Sequence, residues 1–233
     1  MNNQIVILAG GLATRLHPLT LNVPKSMIPI NGRPFIHWQL EQIAQQGITS
    51  VVLCLGHKAS AIIDFVGNGD KFGVEVDYSI EDFPLGTGGA LKNAEKLLGK
   101  TFGVLYGDSY LPIDFSLVFE SYKFVEKKVL MTIYKNNDDF DSSNVLFGTD
   151  KSLYYSKTKK LPEMRHIDYG FSVLSIETLQ TIPLAVPCDL SDIFEDLSSN
   201  GKVGGLEVHE RFYEIGSFNG IVELERFLRG EAK

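Results

Sequence analysis

The sequence predicts an α/β fold: a Rossmann-like, mostly parallel sheet with helices on both faces. Apolar strand-like segments alternate with amphipathic helix-like segments from the first residues through residue 106. Such alternation is typical of parallel strands joined by crossover helices. Several strand segments are continuously apolar, as at residues 51–55 (VVLCL), which indicates strands buried on both faces.

The first half supplies most of this pattern. Strands are predicted at residues 4–9, 50–55, 74–79 and 102–106, and helices at residues 35–46, 60–66 and 87–98. Gly47 is a natural end for the first helix, because glycine readily adopts the left-handed conformation that closes helices. Ligands of such sheets bind beyond the carboxyl ends of the strands. The loops after Leu8, Leu55, Ser79 and Tyr106 should therefore surround one crevice.

The second half is less regular. Helices are predicted at residues 115–126, 190–200 and 221–230, and strands at residues 129–134, 145–147, 153–155, 169–176, 203–208 and 211–215. A polar loop is expected at residues 136–143, and a hairpin turn at Thr149 and Asp150. No internal repeat, low-complexity tract or linker separates the two halves, which favours a single domain.

Composition excludes several classes of protein. The 233 residues are 44% hydrophobic and 22% charged, as in ordinary globular domains, and carry a net charge of −7. An acidic chain does not provide the basic surface that nucleic acid requires. Two cysteines favour reduced thiols over a disulfide framework. We find no signal peptide or apolar run long enough for a membrane span, so we expect a cytoplasmic protein without a membrane partner.

The first motif follows the first strand. It reads GGLATRL at residues 10–16, with Pro24 and Lys25 further on. Adjacent glycines let the backbone approach a ligand and present N–H groups to it. The Arg15 guanidinium matches phosphate oxygens, and Lys25 adds a compact positive charge. The spacing differs from both the Walker and the Rossmann glycine patterns.

Two further motifs follow later strands. Residues 81–90 (EDFPLGTGGA) open a helix, whose free N–H groups favour polar or anionic ligands. Gly107 and Asp108 follow the strand at residues 102–106. An aspartate at the rim of a phosphate-binding crevice is a candidate Mg²⁺ ligand, because Mg²⁺ prefers one or two carboxylates together with phosphate oxygens.

Together, the glycine-rich motif, Pro24 and Lys25 resemble the G-G-x-x-x-R-L…P-K signature of the sugar-1-phosphate nucleotidyltransferases. The resemblance is close up to about Asp114 and looser beyond it. It implies a glycosyltransferase-A-like nucleotidyltransferase fold in one domain over residues 1–233. Residues 1–114 would form the nucleotide-binding half, and residues 115–233 the acceptor-binding half with the C-terminal helix.

The resemblance implies roles for individual residues. Arg15, Lys25 and Asp108 are the expected catalytic residues, with Arg15 and Lys25 on the triphosphate and the leaving pyrophosphate. The loop at residues 84–90 resembles the one that lies against the nucleobase in this family. The residues expected to bind the nucleotide come from the two glycine-rich loops: Leu8, Ala9, Gly10, Gly11, Glu81, Pro84, Gly86, Thr87 and Gly88.

Magnesium is the cofactor that the resemblance implies. Asp108 would be one ligand, and a C-terminal D-[IV]-G-T segment supplies the second in the family. Here that segment reads EIGS at residues 214–217, with glutamate in place of aspartate. Because glutamate is one methylene longer, Glu214 is predicted to bind Mg²⁺ either directly or through a water molecule.

The acceptor side resembles the family less closely. Family members carry a lysine in an E-K-P-like segment and an asparagine before a later strand. Lys157 takes the place of that lysine and would contact the acceptor phosphate, whereas Asp168 stands where the asparagine is usual. The resulting acceptor-binding set is Lys157, Asp168 and Gly170, with Asp168 accepting hydrogen bonds from sugar hydroxyls.

The implied reaction transfers a nucleoside monophosphate from a nucleoside triphosphate to a sugar 1-phosphate and releases pyrophosphate. The variants DYG at residues 168–170 and EIGS resemble the compact enzymes that activate heptose or mannose 1-phosphate with GTP. Open alternatives are uridylyl transfer to hexose or N-acetylmuramic acid 1-phosphate, cytidylyl transfer to phosphocholine-like acceptors, and an inactive nucleotide-binding regulatory subunit. The two substrates are the predicted partners, with the chain as a monomer or homodimer.

Overall fold

A computed structural model describes residues 3–11, 16, 19–20, 23–136, 138, 142–148 and 152–231. The strands are β1 (Gln4–Leu8), β2 (Pro29–Ile30), β3 (Arg33–Pro34), β4 (Ser50–Leu55), β5 (Glu75–Ile80), β6 (Thr101–Tyr106), β7 (Ser109–Tyr110), β8 (Val129–Lys135), β9 (Val145–Phe147), β10 (Leu153–Tyr155), β11 (His166–Ser175), β12 (Val203–Val208) and β13 (Tyr213–Glu214). The helices are α1 (Phe35–Gln45), α2 (Ala59–Val66), α3 (Gly86–Asn93), α4 (Phe115–Tyr122), α5 (Leu190–Ser199) and α6 (Phe218–Leu228). None of the helices in this part of the chain is long and apolar enough to cross a membrane.

The central sheet confirms the predicted mostly parallel architecture. Strands β6, β1, β4 and β5 lie side by side in that order and pair in parallel. Strand β11 runs antiparallel between β6 and β8, and β12 pairs in parallel with β8. The antiparallel β11 therefore joins the strands of both halves into one sheet.

Helices cover both faces of this sheet, as predicted. Successive strand residues point to opposite faces, so Ile5 and Ile7 of β1 belong to one core and Val6 to another. Helices α1, α2 and α4 pack in the first core, and α3 and α5 in the second. The cores fix the parallel strands, whose carboxyl ends all meet at one edge.

A third, smaller core lies beside the sheet. It joins α6 to the β2–β3 hairpin and to β13 through buried side chains that include Ile30, Tyr213 and Leu224. Asn31 in the hairpin donates through Nδ2 to the Glu225 carbonyl oxygen at 2.9 Å. The C-terminal helix is thereby attached to the first half of the chain.

Two predicted helices extend too far. The predicted helix at residues 87–98 ends at Asn93, and a short 3₁₀ turn follows it at Glu95–Leu97. The predicted helix at residues 115–126 ends at Tyr122. In contrast, the final helix begins at Phe218, before the predicted residue 221, since the Ser217 hydroxyl caps it by accepting from the Gly220 N–H.

Strand ends also differ from the predictions in the second half. Strand β11 begins at His166 instead of residue 169, and the strand predicted at residues 211–215 is reduced to Tyr213–Glu214. That short strand pairs with β7, which the sequence pattern does not reveal. The predicted hairpin strands are confirmed as β9 and β10, whereas their turn at Thr149 and Asp150 lies outside the described residues.

Candidate active site

A cavity of about 470 Å³, here the first cavity, opens at the carboxyl ends of the parallel strands. The loops after β6, β1, β4 and β5 follow one another along this edge, so the cavity can hold an elongated ligand. Three strand spacings correspond to roughly 15 Å. Its lining contains most of the residues predicted from the glycine-rich motifs, together with others that were not predicted. The full lining is Leu8, Ala9, Gly10, Gly11, Lys25, Ser26, Cys54, Glu81, Pro84, Gly86, Thr87, Ala90, Tyr106, Gly107, Asp108 and Asp189.

One end of the first cavity carries an ion pair. Lys25 lies in a short 3₁₀ turn after Pro24 and donates through Nζ to Asp108 Oδ2 at 2.7 Å. The Ser26 hydroxyl donates to the Gly107 carbonyl oxygen at 3.4 Å and joins the two loops. The structure thus brings the predicted Lys25 and Asp108 together, while Arg15 lies outside the described residues.

The other end of the first cavity is mostly apolar, with one carboxylate. Glu81 Oε1 lies 2.9 Å from where a Cβ would stand at Gly10 and 2.7 Å from the equivalent point at Gly56, so the Glu81 side chain packs closely against both glycines. Burial raises the pKa of Glu81, and the Leu85 N–H opposes this shift by donating to the carboxylate. Burial also raises the pKa of the Cys54 thiol to about 12, so this wall stays uncharged.

The loop that opens α3 is held from the second half of the chain. The N–H groups of Gly88 and Gly89 donate to the Cys188 carbonyl oxygen at 2.9 and 3.0 Å, and the Cys188 N–H donates to the Leu85 carbonyl oxygen at 2.8 Å. Gly88, predicted to bind the nucleotide, is not among the described residues that line the first cavity. The Gly88 N–H already donates to the Cys188 carbonyl oxygen.

A second cavity, also of about 470 Å³, adjoins the first and shares Tyr106 with it. Strand β11 shifts register between Asp168 and Ser172, and Gly170 has a φ of +104°, so this bulge turns Asp168 and Gly170 toward the cavity. Burial raises the pKa of Asp168 to about 6, although its Oδ1 accepts a 3.0 Å hydrogen bond from the Gly170 N–H. Both residues are predicted acceptor ligands.

The predicted acceptor residue Lys157 is placed differently. It lies on the exposed stretch after β10 and belongs to neither cavity lining among the residues that the structure describes. The cation that does line the second cavity is Arg211, which forms an ion pair with Glu223 and lies over the Tyr213 ring at 5.1 Å.

Sequence reasoning missed Arg211, Tyr106 and Asp189 as lining residues. Tyr106 had a signal, since it is the last residue of a strand directly before the Gly-Asp motif. Arg211 could have been found by its position three residues before Glu214. No local sequence pattern predicts Asp189 as a lining residue, because the loop that it contacts, at Gly86, lies about a hundred residues earlier in the chain.

The two predicted metal ligands lie on paired backbone. Glu214 on β13 is the pairing partner of Ser109, and the Ile215 N–H donates to the Asp108 carbonyl oxygen at 2.9 Å. Asp108 lines the first cavity and Glu214 the second. Within the described residues no cluster of three or more His, Cys, Asp or Glu side chains is placed to hold a metal. Two carboxylates nevertheless fit Mg²⁺ that completes its coordination with phosphate oxygens and water.

Comparisons with known proteins agree on one family. The Nucleotidyl transferase family profile matches residues 4–143. The chain is 36% identical to the D-glycero-alpha-D-manno-heptose 1-phosphate guanylyltransferase of Campylobacter jejuni, over 91% of this chain and 94% of that protein. It is also 36% identical to the mannose-1-phosphate guanylyltransferase of Mycobacterium tuberculosis, over 97% of this chain but 63% of that protein. The crystal structure of HddC from Yersinia pseudotuberculosis complexed with GMP-PN superposes with a TM-score of 0.81 at 28% identity, covering 97% of this chain and 99% of the other.

Proposed function

Since this chain belongs to the nucleotidyl transferase family, we propose that it transfers GMP from GTP to heptose 1-phosphate or mannose 1-phosphate, forming a GDP-sugar and pyrophosphate. The observation that carries the proposal is the pair of adjoining cavities that share Tyr106. The lining of the first extends across several neighbouring strand ends and includes both a charged and an apolar part, and the lining of the second is rich in polar side chains. The named activities of the Campylobacter and Mycobacterium relatives support the same reaction.

The charged end of the first cavity suits a triphosphate. A sugar 1-phosphate is already an anion, so its oxygen can attack the α-phosphate without a general base. Catalysis then consists of aligning the two phosphates and stabilising the charge that develops on the transferring group. Lys25 supplies a fixed cation there, and the N–H group of Gly11 can approach the phosphates. From its position in the motif, Arg15 is proposed as the second cation.

The apolar end suits a purine base, and its carboxylate favours guanine. A carboxylate only accepts hydrogen bonds. The Watson–Crick edge of guanine offers two adjacent donors, N1–H and the N2 amino group, whereas uracil places carbonyl acceptors on both sides of its single N–H. Cytosine has only one donor on this edge, its amino group, which lies next to the N3 acceptor. Glu81 at this end therefore favours GTP over UTP and CTP. Leu8, Cys54 and Ala90 provide the apolar wall against which a base can lie.

The second cavity suits the sugar phosphate. Asp168 and Glu223 can accept hydrogen bonds from sugar hydroxyls, and Asn219 can both donate and accept. Arg211 is the cation of this lining in the described structure, and its planar guanidinium matches phosphate oxygens. We therefore propose that Arg211, rather than Lys157 alone, contacts the acceptor.

Magnesium is part of the proposal, with Asp108 and Glu214 as its protein ligands. When bound, Mg²⁺ neutralises phosphate charge and orients the two reacting phosphates. This proposal is supported by the backbone pairing of β13 with β7, in which Glu214 lies opposite Ser109, the residue after Asp108. The Lys25 ammonium against Asp108 Oδ2 shows that this carboxylate accepts a cationic partner within the site.

The cytoplasm is the proposed location. Cys54 and Cys188 are free thiols in the described structure, which suits a reducing compartment.

The decisive experiment crosses GTP, UTP, CTP and ATP with a panel of heptose, mannose and hexose 1-phosphates. Pyrophosphate release is measured with Mg²⁺ and with a chelator. We expect turnover to be highest for GTP with heptose or mannose 1-phosphate and to be lost in the chelator. Preference for UTP or CTP would refute the guanine assignment, and nucleotide binding without turnover on any acceptor would indicate a regulatory protein.

A further inference from the structure

The segment at residues 186–190, here the docking segment, connects the second half of the chain to the loop that opens α3. Its Cys188 backbone exchanges hydrogen bonds with Leu85, Gly88 and Gly89. The Leu190 N–H donates to Thr87 Oγ1 at 2.8 Å. At Gly86, which has a φ of +70°, a Cβ would lie 2.6 Å from the Cys188 carbonyl oxygen. The docking segment therefore occupies a defined position against the first cavity.

Asp189 holds the N-cap position of α5 but does not cap the helix. Aspartate is among the preferred N-cap residues, because its carboxylate can accept from the first free N–H groups of the helix. In the described structure the Asp189 side chain makes no such hydrogen bond. The Thr87 hydroxyl instead accepts from the Leu190 N–H. An external residue thus supplies an acceptor to the helix start, and the Asp189 carboxylate remains available for another partner.

That carboxylate faces the first cavity. Asp189 is exposed and belongs to the cavity lining, and its Oδ1 lies 3.1 Å from where a Cβ would stand at Gly86. Asp189 lines the first cavity together with Tyr106, the residue common to both cavities.

Charge restricts what Asp189 can bind there. A carboxylate repels phosphate groups, which belong at the Lys25 end, and it accepts hydrogen bonds without donating any. The donors on the base edge are already matched by Glu81. The uncharged donors that remain in the proposed substrates are the hydroxyls of the ribose and of the acceptor sugar.

We propose that the Asp189 carboxylate accepts a hydrogen bond from a sugar hydroxyl and so determines specificity for the sugar portion of the substrates. This inference rests on the proposed guanylyl transfer. The ribose and the acceptor sugar present the same chemistry, and substrate analogues distinguish them.

The test combines Asp189→Ala and Asp189→Asn with analogues that lack one hydroxyl. Turnover is measured with 2′-deoxy-GTP, 3′-deoxy-GTP and a series of deoxymannose 1-phosphates. A hydrogen bond to a charged group corresponds to a loss of roughly 10- to 100-fold in kcat/KM. With the wild-type protein, we expect one analogue to show this loss relative to the complete substrate. With Asp189→Ala, the same analogue and the complete substrate should have equal kcat/KM. Loss for a deoxy-GTP assigns the contact to the ribose, and loss for a deoxymannose 1-phosphate assigns it to the acceptor.

The matched control is Asp192→Asn, which removes an exposed charge from the first turn of the same helix, outside both linings as the structure describes them. Asp192→Asn should leave unchanged the loss in kcat/KM that each deoxy analogue shows relative to the complete substrate. If Asp189→Ala shows the same losses as the wild-type protein, or only lowers the melting temperature, the inference is wrong. A change confined to the preference for GTP over inosine triphosphate would place Asp189 on the base and also refute it. Failure of the wild-type protein to turn over any GTP and sugar 1-phosphate pair would instead refute the proposed function.

Discussion

At the scale of single residues, the Lys25–Asp108 ion pair places two opposite charges next to each other at one end of the first cavity. The pair spans 2.7 Å between loops that follow different parts of the chain, so each charge holds the other in place before substrate arrives. In the proposed reaction the two groups serve different partners, Lys25 the phosphates and Asp108 the metal. Their loss should therefore have different kinetic consequences.

Lys25→Ala should reduce kcat/KM by roughly two to four orders of magnitude, because a fixed cation is lost from the charge that develops during transfer. The fold should persist, since Lys25 lies at the cavity surface. Steady-state pyrophosphate release and a thermal unfolding curve check both points. Lys123→Ala removes a surface lysine paired with Glu120 and serves as the control with normal kinetics. Near-normal turnover in Lys25→Ala would exclude this loop from the site. The sequence motif predicts the same outcome for Arg15→Ala.

Asp108→Asn should abolish magnesium-dependent turnover and affect GTP affinity less, because the base contacts lie on other loops. An amide is a much poorer ligand than a carboxylate for a hard cation. Magnesium titration of turnover, together with calorimetric GTP binding, separates the two effects. Asp77→Asn, on an exposed position of β5, is the control. Activity of Asp108→Asn at ordinary magnesium concentrations would contradict a metal-bridged transfer.

Asp168 combines function with a cost in stability. Burial raises the pKa of Asp168 from 3.8 to about 6. At a pH between these two values, Asp168 is protonated in the folded state and deprotonated in the unfolded state. Its contribution to the free energy of unfolding therefore falls as pH rises from about 4 to 6 and is constant above that. Asp168→Asn keeps an acceptor for the Gly170 N–H and should stabilise the protein at pH 7 by roughly 1–3 kcal/mol, while raising the KM for the sugar phosphate.

Urea unfolding at several pH values tests this prediction. The stability gain of Asp168→Asn should be absent near pH 4 and complete above about pH 6, following the same linkage relation. Equal stability of the two proteins at neutral pH would show that Asp168 is well solvated or has a compensating partner.

At the scale of elements, the approach of the docking segment to the α3 loop depends on glycine. Gly86→Ala combines a positive φ with a Cβ 2.6 Å from the Cys188 carbonyl oxygen, so the loop or the docking segment must move. Gly201→Ala has a similar φ of +65°, but among the described atoms nothing lies within 4 Å of its Cβ position. We expect a cost of about 1–2 kcal/mol at Gly201 and a larger one at Gly86. Only Gly86→Ala should also weaken GTP binding, as measured by calorimetry, and equal effects at both sites would contradict this account.

The secondary-structure elements that could be predicted from sequence are those that their own residues specify, without contacts to distant parts of the chain. Strands β4, β9, β10 and β12 have the predicted bounds, because runs of apolar and β-branched residues specify them directly. In contrast, β7 and β13 pair with each other across about a hundred residues of sequence, which no local pattern reveals. The site residues divide in the same way, into those in local motifs and those brought in by contacts distant in sequence. Motif residues such as Lys25 and Asp108 were found, whereas Asp189 and Arg211 reach the cavities through distant contacts.

At the scale of the whole molecule, the third core connects the C-terminal helix to the proposed metal site. Leu224 of α6 is fully buried with Tyr213 and Ile215, the residues on either side of Glu214. The Tyr213 ring stacks on Phe227 with a centroid distance of 4.4 Å. A Cβ at Gly220 would collide with the Glu214 carbonyl oxygen, so the helix lies directly on the β13 backbone. The position of Glu214 thus depends on the packing of α6.

Leu224→Ala should therefore affect both stability and metal use. A buried leucine-to-alanine change costs about 2–5 kcal/mol, and here the loosened packing should let β13 move away from β7. We expect a higher magnesium concentration for half-maximal turnover and a lower kcat. Ile62→Ala provides the matched comparison: Ile62 is buried in the first core on α2, a helix that contributes no described residue to either cavity. It should lose similar stability with an unchanged magnesium requirement. If the two variants show the same magnesium dependence, then the position of Glu214 does not depend on α6, and β13 is held by its pairing with β7 alone.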